Sequence, residues 1–178
     1  MPLARSAALA VLLMVSGLSA APPAAAHVTL ETQQAQAGTA YKAVFRVPHG
    51  CDGAATVRVH VVLPEGSLDA RPMPKPGWSL RTIRRPLAEP VPDGHGGEMR
   101  ETAGEVVWEG GRLEDGHYDE FVLRFRTPDR PGETIWIPVT QTCESGEVVA
   151  WTEVPEPGRR VTDYRHPAAV LRLSAPRN

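Results

Sequence analysis

Apolar and polar residues alternate with period two along most of this chain, the signature of half-buried β-strands. Tyr41-Lys-Ala-Val-Phe-Arg-Val47 shows the pattern, and in Thr56–Leu63 the side chains of Val57, Val59 and Val61 share one face. In Phe121-Val-Leu-Arg-Phe-Arg126, Phe121, Leu123 and Phe125 fall on one side and Arg124 and Arg126 on the other. Further strands are predicted over Trp78–Ile83, Glu105–Trp108, Tyr118–Arg126, Thr134–Gln141, Val148–Glu153 and Ala169–Leu173. Turn chemistry separates them: Pro48-His-Gly50, Pro64-Glu-Gly66, Pro74-Lys-Pro-Gly77, Asp115-Gly116, Pro131-Gly132 and Ser145-Gly146. No long stretch repeats with a period of 3.6. Short strands spaced by about 10–15 residues predict an all-β, antiparallel sandwich in a single domain. Arg85–Glu101 has little pattern and carries Pro86, Pro90, Pro92 and Asp93-Gly-His-Gly-Gly97, which reads as a long loop or a splayed hairpin.

The amino-terminal segment breaks this pattern. A short n-region with Arg5 precedes an apolar run from Ala7 to about Leu18, and small residues then lead to Ala24-Ala-Ala26. This is the layout of a cleaved secretory signal over residues 1–26, with an apolar run too short to span a bilayer comfortably. Cleavage would leave residues 27–178 as the mature chain and His27 as its first residue. A free α-amine and the imidazole Nδ1 of one residue can close a chelate ring on a metal, which an internal histidine cannot do. The plain alternative is that some residue must come after every cleavage site.

Charge narrows the partners. Of 19 Lys and Arg only Arg5 lies in the leader, so 18 face 21 acidic residues in the mature chain, a formal charge of −3. There is no basic stripe beyond pairs such as Arg84-Arg85 and Arg159-Arg160, which disfavours nucleic acid and anionic lipid. No second apolar segment is present to anchor the chain. The two cysteines, Cys51 and Cys143, are expected to pair as a disulfide in an oxidising compartment, the alternative being soft thiolate ligands.

Several short motifs, in order, resemble the YcnI-like proteins, a family of bacterial exported copper-binding domains. They are His27-Val-Thr-Leu, Phe45-Arg-Val-Pro48, Pro74-Lys-Pro-Gly-Trp78, Val107-Trp-Glu-Gly-Gly111 running into Tyr118-Asp-Glu-Phe121, and Gln141-Thr-Cys-Glu-Ser-Gly146 with Val149-Ala-Trp151 behind it. The resemblance covers nearly the whole mature chain. It implies an immunoglobulin-like sandwich that binds Cu(II) through a single-histidine brace, with His27 supplying amine and imidazole and Trp151 beside the metal. A carboxylate is expected to contribute. Several relatives carry an acid about seven residues after the histidine, where this chain has Gln34; Glu31 is the favoured substitute, and Glu153, two residues beyond Trp151, is the alternative.

These donors suit the ion. Cu(II) prefers nitrogen and oxygen in a tetragonal plane. Trp151 would shield an axial face and engage the cation through its ring, while Trp78, Trp108 and Trp136 read as core or turn-packing residues. Met73 and Met99 are the only methionines of the mature chain, too few and too separated for a dedicated Cu(I) site. His49, His60, His95, His117 and His166 are scattered; His60 is expected to face solvent, and His95, in a glycine-rich loop, is a weak candidate for a second metal.

The implied function is a periplasmic Cu(II)-binding protein of copper homeostasis or trafficking, not an enzyme, exchanging copper with another periplasmic carrier or a membrane copper transporter. Two alternatives stand beside it. A copper-dependent oxidase would need a second histidine, and the sequence identifies none. A metal-free adhesion or assembly sandwich is also compatible with the fold. Hydrolase motifs such as Gly-x-Ser-x-Gly and His-Glu-x-x-His are absent.

Overall fold

The computed structural model describes residues 27–176; the expected leader over residues 1–26 lies outside the described residues. The order of elements is β1 (Thr29–Leu30), β2 (Gln34–Gln36), β3 (Ala40–Val47), β4 (Thr56–Val62), β5 (Leu68–Pro72), β6 (Ser79–Pro92), β7 (Glu98–Leu113), β8 (Asp119–Arg126), β9 (Thr134–Ile137), β10 (Val139–Cys143), β11 (Val148–Trp151), a single 3-10 turn (Val161–Asp163) and β12 (Ala169–Ser174). They form three sheets, ordered β1-β3-β8-β5, β11-β10-β4-β7-β6 and β2-β12-β9. This is an immunoglobulin-like sandwich, as the alternating pattern and the family resemblance together imply. Among the described residues no helix is long and apolar enough to cross a membrane.

The inward faces make one core. Phe45, Phe121, Leu123 and Phe125 from the first sheet are fully buried, as are Val59, Val61 and Trp108 from the second. Trp108 donates its indole N–H to the Met73 carbonyl at 3.1 Å, so the largest apolar side chain of the core carries no orphaned donor. Trp78 lies on the backbone of Gly111: a Cβ there would stand 2.2 Å from the indole ring.

Two departures from the expected strands have local causes. The run Thr134–Gln141 is divided at Pro138, which has no N–H to offer a ladder and marks where the chain leaves the β2-β12-β9 sheet for the five-stranded one. The Arg85–Glu101 region is the splayed hairpin rather than the loop: β6 and β7 remain paired beyond the body of the sandwich, with an irregularity between Pro86 and Val91. β6 is an edge strand, where prolines that cannot donate are tolerated.

Cys51 and Cys143 form a disulfide with Cα atoms 6.1 Å apart, both nearly inaccessible, so no free cysteine remains to act as a soft ligand. The bridge ties the loop between β3 and β4 to the end of β10. That places it beside Trp151, with which Cys51 lines one cleft.

Candidate metal site

The described chain begins at His27, and the strand behind it fixes its position. Val28 and Leu30 are buried, and β1 pairs antiparallel with β3 through Thr29–Arg46 and Leu30–Phe45. The backbone is therefore anchored to the core up to the residue next to His27. Its imidazole lies edge-on against Trp151, ring centroids 5.7 Å apart. The Nε2 atom is buried and, among the described residues, has no hydrogen-bond partner. Desolvation is the main influence on this ring and holds its pKa below the ordinary histidine value; a positive charge on His166 pushes the same way, and Glu153 opposes both. The lowered pKa favours the uncharged ring, the form that ligates.

Trp151 closes β11 and sits opposite Val139 of β10. Its orientation is set from below. The indole N–H donates to Oε1 of Gln141 at 3.2 Å, and Gln141, itself 1 % exposed, donates its amide to the His49 carbonyl at 2.8 Å and to Oγ1 of Thr56 at 2.5 Å. Thr56 in turn lies 3.8 Å from Sγ of Cys143. A buried polar chain thus runs from the disulfide to the indole, and every polar end of the glutamine side chain is used.

A second imidazole stands against the same tryptophan. His166 packs edge-on to Trp151 with centroids 5.1 Å apart. Its backbone is pinned to the end of β11: the His166 carbonyl accepts from Thr152 N at 2.9 Å and Glu153 N at 3.0 Å, and its N–H donates to the Glu153 carboxylate. The two segments also meet in a bridge between Glu153 and Pro167. A cleft of about 350 Å³ opens beside them, lined by His49, Cys51, Glu147, Trp151, Arg165 and His166 among others.

Of the residues singled out in the sequence, the structure brings His27 and Trp151 together. Glu31 is exposed and forms an ion pair with Arg46 at 3.4 Å, and it is not among the groups that act on the His27 ring; Glu153 is. Gln34 lies in β2, paired with Arg172 of β12. His60, expected to face solvent, is instead half-buried with Nε2 2.6 Å from Glu105. His95 sits at the exposed tip of the β6–β7 hairpin, where the Asp93 carboxylate is occupied by the His95 and Gly97 amides. Among the described residues no three His, Cys, Asp or Glu side chains are already gathered at metal-binding spacing. Sequence reasoning misses His166 and Gln141. Fifteen positions and a turn separate His166 from Trp151, and no local pattern announces that contact. Gln141 does leave a signal, since period two places it on the inward face between Val139 and Cys143.

Fold and site define an immunoglobulin-like β-sandwich with a histidine–tryptophan–histidine cluster at the start of its first strand. The chain belongs to the family described as DUF1775, a domain of unknown function, matched over residues 27–173. The resemblance to YcnI-like proteins is consistent with that assignment. An uncharacterised protein from Nocardia farcinica with an immunoglobulin-like fold is 31 % identical, over 83 % of this chain and 98 % of that one, with a TM-score of 0.64. The sixth cohesin of scaffoldin B from Acetivibrio cellulolyticus is 10 % identical over 83 % of this chain and 97 % of its own, at a TM-score of 0.39, and bears on nothing beyond that. No curated protein matches the chain.

Proposed function

We propose that this protein is an exported, periplasmic Cu(II)-binding domain of copper homeostasis, whose site is created when cleavage before His27 frees the α-amine. The observation that carries the reading is the placement of His27: its imidazole packs edge-on against Trp151 at the start of a strand paired to the core. The donors also fit the ion, because amine, imidazole and carboxylate are the nitrogen and oxygen ligands that Cu(II) prefers.

The residues divide the work. His27 would supply its amine and Nδ1, with Val28 and Leu30 holding the backbone so that little conformational freedom is lost on binding. Trp151, locked by Gln141, shields one side from water. Glu153 contributes negative charge, which favours a cation, and is better placed for this than Glu31, whose carboxylate is engaged by Arg46. The amine must shed a proton to coordinate. Its reference pKa of about 7.7–8.0 makes affinity fall as pH drops.

The test is a titration of the chain beginning at His27 with Cu(II), beside a version extended by one residue. One equivalent bound by the first, and a loss of at least a hundredfold in affinity for the second, are expected. Equal binding by both would remove the brace. A second reading, a metal-free adhesion or assembly sandwich, is favoured by the lack of three pre-gathered ligand side chains among the described residues. It predicts a melting temperature indifferent to copper, whereas a ligand of the native state must raise it by mass action.

A further inference from the structure

We infer that His166 is a second imidazole ligand of the copper site, so that this chain offers Cu(II) three nitrogens rather than two. The inference rests on the reading of His27 as a copper brace and adds a residue to it. A brace of one amine and one imidazole leaves half of a tetragonal plane to be filled. His166 is the second imidazole that meets Trp151, at 5.1 Å against 5.7 Å for His27, so both rings border one indole.

The position of His166 is built, not incidental. Two backbone amides, those of Thr152 and Glu153, converge on its carbonyl, and its own N–H is bound by the Glu153 side chain. Ala168 N then donates to the Glu153 carbonyl at 2.8 Å, closing the turn on its far side. Pro167 restricts the backbone of the preceding residue to extended conformations, which keeps His166 out of a helical turn. The consequence is an imidazole fixed at its base and half-exposed at its ring, on the wall of a cleft that leads to Trp151. Among the described residues its ring nitrogens make no hydrogen bond. A residue held only for packing needs none of the imidazole's donor capacity; phenylalanine would fill the place.

Glu153 gains a second part in this arrangement. By binding the His166 amide it links the loop that carries one imidazole to the strand end that carries the tryptophan. It acts there as a positioning residue, and its charge lies near enough to the His27 ring to be felt.

The experiment loads the chain beginning at His27, amine free, with one equivalent of Cu(II), and reads electron spin-echo modulation, which counts coordinated imidazoles through their remote nitrogens. Two imidazoles are expected in the native chain and one in His166→Phe and His166→Gln, with affinity lower by at least tenfold in both. The phenylalanine variant preserves the edge contact with Trp151, and circular dichroism of the copper-free variants checks the fold. One imidazole in the native chain, or affinities within twofold in both variants, overturns the inference while leaving the His27 site intact. No copper bound by the native chain overturns both.

Discussion

Replacing Gln141 by methionine tests whether the indole of Trp151 is held or merely packed. The two side chains are similar in length and volume, so the perturbation is chiefly polar. Three hydrogen bonds disappear: from Trp151 Nε1, to the His49 carbonyl and to the Thr56 hydroxyl. Their costs differ. Thr56 keeps a weak partner in Cys143 Sγ, and the His49 carbonyl stands at a cleft that admits water. The Trp151 N–H has neither remedy, on a residue only 5 % exposed. One orphaned buried donor costs about 1–3 kcal/mol and the two softened losses roughly 0.5 kcal/mol each, for a total of about 2–4 kcal/mol. In a domain of this size 1 kcal/mol lowers Tm by about 2–4 °C, so a fall of about 4–16 °C is expected. Urea unfolding of the oxidised, copper-free chain measures it, and the m-value should be unchanged because the surface exposed on unfolding is the same. Trp151→Phe should cost less in the Gln141→Met background than alone, since its partner is already gone. A destabilisation below about 0.5 kcal/mol, or strict additivity of the two substitutions, refutes the polar chain as the support of the site.

Other parts of the structure carry their own expected outcomes. Replacing Cys51 and Cys143 by alanine opens a loop of 92 residues and should lower stability by about 4–5 kcal/mol on the chain-entropy model, read as a matching drop in urea midpoint; a loss under about 1 kcal/mol would contradict that assignment of its strength. Gly111→Ala places a methyl 2.2 Å from the Trp78 ring, which is itself edge-packed on Phe121 at 5.0 Å, and should destabilise by about 1–3 kcal/mol with a change in near-UV circular dichroism. The depressed pKa of His27 makes the unfolded chain bind a proton more readily than the folded one, so its contribution to stability is present above about pH 6.5 and is lost as pH falls through the lower folded value. The copper-free Tm should therefore drop between pH 7.5 and 5 by more in the native chain than in His27→Phe; parallel profiles would exclude this cause.

How much of the molecule is legible in its sequence depends on the range of the physical signal. Period-two alternation identifies β3, β4 and β8 and their inward residues, because burial of one strand face is written in the strand itself. The same logic fails where pairing is settled elsewhere. β1, β2 and β5 are two, three and five residues long and half-polar, and only their partners make them strands. The β6–β7 arm lacks an alternating pattern because much of it projects beyond the core, where no buried face imposes one.

The site divides along the same line, and the division says something about how it is made. His27 is legible as the residue that processing would expose, and Trp151 through a short motif, since each belongs to a local stretch of sequence. The carboxylate is legible only as a choice between Glu31 and Glu153. Glu31 is nearer to His27 along the chain, yet it pairs with Arg46, one strand away, whereas Glu153, two residues past Trp151, meets the returning chain at His166 and Pro167. His166 arrives by the return of the chain from the 3-10 turn into β12. The second imidazole beside Trp151 therefore comes from a segment whose placement depends on the Glu153–His166 contacts rather than on any motif.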